Sequence, residues 1–333
     1  MATKKSPAMK KKSFAKRSRS AKKIDPAARY LRYELTNSGS PNTETSHYID
    51  LARDLSRVNR RLYRQGRDYH VKKITIVSSN TPNVGYTDPA TLVNGARVSV
   101  STIPHTWVSQ MAWKRAFDTW NRMNKEASVN LAGDITATWS DFKVYMSLDQ
   151  RSGTMLNPID NGNNLYKAGM WTYSQMVSPD GTTSADTFDL HMLGAHSGTG
   201  PGSWNSVGLI RSYGESRATI QQGPNVPTTA SDDPLVNVFD YGTTVDEVID
   251  DLEGHNDFPP YDVDEYPGDD TNGPKPAVVQ DTTLVDGKAT MAGFSAMCGL
   301  LEFESVSPIA SDIYSVLVEL APGSYRGVKA DVI

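Results

Sequence analysis

From Ile135 onward, short runs of β-branched, aromatic and apolar residues alternate with clusters of glycine, proline and asparagine. ITATWSDFKVYMSL (135–148) reads as one long strand or a strand with a bulge. LYKAGMWTYSQMV (165–177) follows the turn NPIDNGNN, and DTFDLHML (186–193) follows PDGTTS. SVGLIRSY (206–213) and RATIQQ (217–222) come after the glycine-rich GAHSGTGPGSW, and the chain closes on MAGFSAMCGLLEFES (291–305) and SDIYSVLVELAP (311–322). Strands punctuated this often by turn residues bury their apolar faces by stacking one sheet on another. The pattern predicts an all-β body, a sandwich or jelly roll of about eight antiparallel strands. No fixed-period repeat runs through it, which argues against propellers and solenoids.

The first third adds two strands and two helices to this expectation. HVKKITIVSS (70–79) and RVSVSTI (97–103) carry the strand signature, with a loop over 80–95 between them. Thr106 to Lys125 reads as a helix, because Trp113, Ala116, Phe117, Trp120 and Met123 share one face, and that aromatic stripe reads as core packing. An earlier helix is expected from Ser46 to Gln65, ended by Gly66, with Tyr48, Leu51, Leu55, Val58 and Leu62 on its apolar face. Arg53, Arg57, Arg60, Arg64 and Arg67 keep the same rhythm, displaced by two residues or ~200° around the axis. Only Asp50 and Asp54 on that helix are at hand to neutralise them. The arginines therefore read as a nucleic-acid-facing surface, against the plainer reading of a solvated face.

Charge is strongly segregated. Ten of the first 23 residues are basic (Lys4, Lys5, Lys10, Lys11, Lys12, Lys16, Arg17, Arg19, Lys22 and Lys23) and none is acidic. The whole chain holds 34 basic and 38 acidic residues, so residues 24–333 keep 24 against 38, a net of −14. Such an arm cannot bury enough apolar surface to offset its ordering entropy and is expected to be disordered alone. Its lysines suit phosphate contacts and equally suit a nuclear-import signal. Pro7 and the clustered lysines spoil a mitochondrial presequence, and no apolar run approaches the ~20 residues that would cross a bilayer. With TNSGSPNTET (36–45) as a hinge, residues 1–40 are expected to be disordered arm and hinge, and 41–333 the folded body. Residues 218–274 hold 14 acids and no Lys or Arg. Within them TTVDEVIDDLEG (243–254) has a capping box at Thr244 and Glu247 and reads as a short helix in a long acidic loop, 242–276.

Catalytic patterns are hard to find. DLHMLGAH places His191 and His196 five apart with no glutamate between them, so it is not HExxH. No Ser sits in a G-x-S-x-G elbow and no GxxxxGK[ST] occurs. The single Cys298 excludes an intramolecular disulfide framework, suits a reducing compartment and reads as a buried inert thiol. Asp262, Asp264, Asp269 and Asp270, with Glu265, could offer oxygens to calcium, but Pro267 and Gly268 break the EF-hand order, and solvated acids are the plainer reading. No enzyme and no cofactor are expected.

MKKKSFAKRSRSAKK (9–23), GSWNSVGLIRSYGESRATIQ (202–221), DPLVNVFDYGTTVDEVIDDLEGHNDFPPYD (233–262) and GFSAMCGL (293–300), in a strand-rich body behind a basic arm, are similar to the capsid proteins of circular, Rep-encoding single-stranded DNA viruses. The resemblance implies a viral jelly-roll β-sandwich with inserted helices, many copies per icosahedral shell, and the arm turned inward on a single-stranded genome. It implies a virion protein that passes through the host nucleus. Its partners would be copies of itself, the genome, a nuclear-import receptor and a cell-surface receptor, with no membrane. Two other readings remain at this stage. One is a non-viral nucleic-acid-binding β-sandwich, such as a packaging or chromatin factor. The other is a calcium-dependent carbohydrate-binding sandwich, which leaves the arm unexplained.

Overall fold

The computed structural model describes residues 24–78, 95–128, 139–178, 186–198, 204–216, 277–284 and 287–333. The basic arm, the expected strand 217–222, the expected helix 243–254 and the calcium candidates Asp262, Asp264, Asp269 and Asp270 lie outside the described residues.

In chain order the elements are β1 (Tyr30–Thr36), β2 (Thr45–Asp50), α1 (Leu51–Asn59), β3 (Arg67–Ser78), β4 (Arg97–Thr102), α2 (Trp107–Ser128), α3 (Leu148–Ser152), β5 (Thr154–Met155), β6 (Gln175–Ser178), β7 (Asp186–His191), β8 (Ser206–Gly208) and α4 (Leu209–Glu215). They continue with β9 (Ala277–Thr283), β10 (Lys288–Met291), β11 (Phe294–Ala296), β12 (Leu300–Val306), β13 (Ile313–Leu320), β14 (Pro322–Gly323), β15 (Gly327–Val328) and β16 (Ala330–Val332). One sheet runs β1-β13-β3-β10, with β11 and β16 also paired to β3, and a second runs β5-β2-β12-β4-β9. The antiparallel pairs nest inside one another: β1 with β13, β2 with β12, β3 with β10, β4 with β9. A small third sheet joins β6, β7 and β8.

Alternation in the sequence drives this arrangement. In β1, Leu31, Tyr33 and Leu35 are buried while Tyr30, Glu34 and Thr36 are exposed. Tyr33, Ile74 and Val316 from the first sheet meet Ile49, Val98 and Phe303 from the second in one hydrophobic core. The described body is mostly β with few helices, as two sheets sharing one core require, and is compatible with a β-sandwich. Each fully buried aromatic or aliphatic side chain contributes about 1.5–3 kcal/mol. A second core lies under α2, where Val108, Ala112 and Trp113 pack with Phe142, Met192 and Leu209. The expected helix 106–125 is thus present, and its aromatic face is core: Trp113 stacks on Phe117 at 5.3 Å between centroids.

Several expectations change. Tyr30–Thr36 pairs with β13 and is part of the folded body, so the arm's boundary falls before Tyr30 and not at residue 40. The helix expected over 46–65 is split, because Thr45–Asp50 is strand β2, paired to β12, and α1 covers only Leu51–Asn59. Tyr48 sits in that strand, and its hydroxyl donates to Glu302 Oε1 at 2.8 Å. Gly66 ends no helix. It lets Trp113 approach, since a Cβ there would lie 2.6 Å from the indole. The described part of 135–148 is not a long strand. Val144 N–H donates to Gln65 Oε1 (2.6 Å) and Lys143 N–H to Ser174 Oγ (3.0 Å), and only Tyr145 makes an isolated bridge, to His191, with its N–H on Leu190 O (2.9 Å). Residues 165–174 likewise carry no ladder, and the strand there is only β6. SVGLIRSY divides at Gly208 into β8 and α4, where Leu209 and Tyr213, four apart, turn toward α2. Residues 291–305 are interrupted by a tight turn at Met297–Gly299, in which buried Cys298 adopts φ 59°.

The outward face of the second sheet holds one carboxyl out of its usual range. Glu302 is 6% exposed, accepts from Tyr48, and has Glu304 and Asp149 as charged neighbours. Burial pushes its pKa up to about 7. A raised carboxyl pKa means that the folded state binds more protons than the unfolded one. Stability from this site is therefore full below the unfolded pKa and is lost as pH rises through about 7. Glu302→Gln keeps an acceptor for Tyr48 and removes the charge. We expect its melting temperature to match the wild type at pH 5 and to exceed it at pH 8, by a free energy on the order of 2 kcal/mol. Equal melting temperatures at both pH values would show that Glu302 is solvated.

Candidate nucleic-acid interface

α1 begins because Asp50 caps it, accepting from Arg53 N–H at 3.0 Å. The same carboxylate also accepts from Gln65 Nε2 (3.2 Å), Trp171 Nε1 (3.0 Å) and Tyr173 Oη (3.2 Å). One turn in, Arg53 Nε donates to Asp54 Oδ1 at 2.8 Å, and its Nη2 donates to the carbonyl of Leu156. Tyr33 Oη donates to the other oxygen of Asp54 at 2.8 Å. Burial pushes Asp54 up to about 6 despite Arg53. Burial also works against the Arg53 charge, but Asp54 and Asp50 outweigh it and hold the guanidinium more firmly protonated than usual. Arg53, at 6% exposure, is thus a buried structural cation, a correction to its place on a nucleic-acid-facing stripe.

The remaining arginines divide. Arg57 is largely buried, lies 3.9 Å from Asp54 and donates through Nη1 to Asn157 Oδ1 at 2.5 Å, while its buried Nε has no acceptor. Burial, then the neighbouring Arg53, lowers its pKa. The helix stops at Arg60, which takes the left-handed conformation (φ 54°), so no helical axis carries the rhythm further. Arg60 and Arg61 are exposed. Arg64 is half-exposed, with Nη1 donating to Asp141 Oδ1 at 3.0 Å. The guanidinium of Arg67 lies 3.7 Å above the ring of Tyr325.

These groups gather where the arm leaves the body. Ala28 N–H donates to Asn59 Oδ1 (2.7 Å) and Asn59 Nδ2 returns a bond to Ala28 O (3.0 Å), one residue before Arg60. Residues 25–27 then cross the β14–β15 hairpin at Gly327 (φ 94°), where a Cβ would lie 2.5 Å from Asp25 O. That hairpin carries Arg326, whose Nη1 donates to Leu62 O. The root of the arm is therefore bordered by Arg60, Arg61, Arg64, Arg67 and Arg326. Periodicity did not select Arg61 or Arg326. The RRLYRQGR run and the turn PGSYRG hold them, and composition counted without a helical template would have included both.

Beside this root lies a cleft of about 270 Å³ between α1 and the extended segment 165–171, lined by Arg57, Arg60, Lys167, Met170 and Trp171. Met170 is 92% exposed. Lys143 Nζ lies 4.7 Å from the centroid of the Trp171 ring.

The two histidines lie on either side of Gly208, each held by its own partners. His191 Nδ1 meets Ser206 Oγ at 2.7 Å and Nε2 meets Ala195 O at 3.0 Å, while burial lowers its pKa to about 4. His196 bonds Glu215 and Gly208 N–H. Among the described residues no group of three His, Cys, Asp or Glu is placed to hold a metal ion, and no helix is long and apolar enough to cross a membrane. Comparison with protein-family models, with curated proteins and with solved structures gives no match.

Proposed function

We propose that this chain is the shell subunit of a small icosahedral virus, a jelly roll that assembles with copies of itself around a single-stranded genome. The nested pairing of the two sheets carries the reading. Counting only β1, β2, β3, β4, β9, β10, β12 and β13, the first strand pairs the eighth, the second the seventh, the third the sixth and the fourth the fifth. That nested order supports a jelly roll, in which a long hairpin wraps over two sheets, a fold that serves viral shells and also lectins and cupins. The arm distinguishes among these uses. Ten cations lie within residues 1–23, and five more border the root from which they extend. An acidic body behind a basic arm confines polyanion binding to one side, since the net −14 of residues 24–333 repels free nucleic acid elsewhere.

Electron microscopy of the expressed full-length protein tests this directly. Closed shells of uniform size that contain nucleic acid are expected. Discrete small complexes with nucleic acid would favour a packaging factor of another kind. A protein that stays monomeric with and without nucleic acid, across pH and salt, would sink the capsid reading.

A further inference from the structure

The arm supplies charge but little else, since Phe14 is its only aromatic residue. Sequence-independent binding of a single strand usually joins a cationic track to an aromatic platform for the bases. The cleft beside the arm's root has both. Arg57, Arg60 and Lys167 stand on its walls, and Trp171 with Met170 gives it apolar surface. Asp54 on α1 and its N-cap Asp50 are buried and already bonded to Arg53, Tyr33, Gln65, Trp171 and Tyr173, so neither carboxylate faces an incoming phosphate at the surface. Trp171 is fixed by its indole N–H on Asp50, so its ring is held in place before any ligand arrives.

We propose that this cleft seats one unpaired nucleotide of a single strand, its phosphate among Arg57, Arg60 and Lys167 and its base against Trp171 and Met170. The inference rests on the reading of the chain as a nucleic-acid-packaging protein and deepens it. The arm neutralises the strand in bulk, and the cleft gives each subunit one defined grip on it. Paired bases cannot present a face to Trp171, so duplex DNA is excluded from the grip while still binding the arm.

The test uses the full-length protein and a short oligothymidine carrying iodouracil. Irradiation is expected to cross-link the strand to Met170 or Trp171 in addition to the arm. Arg60→Asn with Lys167→Gln removes two exposed cations, and Asn suits the left-handed conformation at position 60. This pair is expected to lower affinity for the single strand about tenfold and to reduce the salt slope by about 1.4, two contacts at about 0.7 each. Duplex affinity should fall much less. Arg122→Gln with Lys125→Gln, both exposed on α2, changes net charge equally and should leave single-strand affinity within about twofold. Cross-links confined to residues 1–23, or equal losses in the two pairs, would overturn the cleft and leave the packaging role standing. A full-length protein that binds no single strand at all would overturn the packaging role and the cleft with it.

Discussion

Arg53→Met is expected to lower stability by about 3–5 kcal/mol at neutral pH, because it takes the closest cation from buried Asp54 and Asp50 and leaves only Arg57, 3.9 Å from Asp54. Methionine fills similar space, so packing changes little and the loss reports charge. The carboxyl of Asp54 keeps the Tyr33 hydroxyl but loses the Arg53 donor, and the Leu156 carbonyl loses its donor as well. Acid should relieve the variant in part. Asp54 already titrates at about 6 with Arg53 beside it, and removing the guanidinium pushes it higher still. The variant's folded state then binds a proton that the unfolded state does not, so its deficit shrinks as pH falls from 7 toward 5. Urea unfolding at the two pH values measures both effects. Adding Asp54→Asn should recover much of the loss at pH 7. A deficit below about 1 kcal/mol at pH 7 would mean that Arg53 behaves as a solvated surface cation.

If the chain is the shell subunit proposed above, deleting residues 2–23 should leave the melting temperature of the body unchanged and strip nucleic acid from the assembled particles. Asn59 holds the chain at Ala28, downstream of the cut. Ten cations leave with the segment. For a single strand, each lost phosphate contact takes about 0.7 from the slope of log affinity against log salt, so the slope should fall by up to about 7. The ratio of absorbance at 260 and 280 nm of purified particles reads the packaging outcome. Unchanged nucleic-acid content would move packaging from the arm to the Arg60, Arg61, Arg64, Arg67 and Arg326 border.

How much of this was legible depended on where each residue's partners lie in the chain. α2 could be read because its pattern is local: Trp113, Ala116, Phe117 and Trp120 recur at helical spacing and do pack together. β3, β4 and β13 could be read for the same reason, through alternation. Residues 139–147 and 165–174 look equally strand-like in composition, yet their backbone groups bond to Gln65, Ser174, Gln150 and Pro158, which no local pattern announces. The arginine rhythm misled because spacing fixes a direction only while the helix lasts, and α1 ends at Asn59. Nor does spacing distinguish a cation that faces solvent from one that neutralises a buried carboxylate. The acid that claims Arg53 is its own neighbour in sequence, and it is Tyr33, from a strand some twenty residues away, that helps hold it inside. The cleft draws Arg57 and Arg60 from α1 and its end, and Lys167 and Trp171 from a segment about a hundred residues later.

The nested strand pairs also set the order in which this chain can fold. Tyr30 in β1 lies opposite Glu319 in β13, 289 positions further on. The outermost pair must therefore wait until almost the whole body has been synthesised, and the loop-closure entropy must be met before its contacts form. Folds dominated by such distant pairings form slowly. During that interval Leu31, Tyr33 and Leu35 have no sheet to cover them. The chain's aggregation hazard thus falls in the moments after synthesis, on β1. Loss of β13 pairing, by truncation or by a proline within Ile313–Leu320, should reopen that same strand and give aggregates in place of a folded monomer.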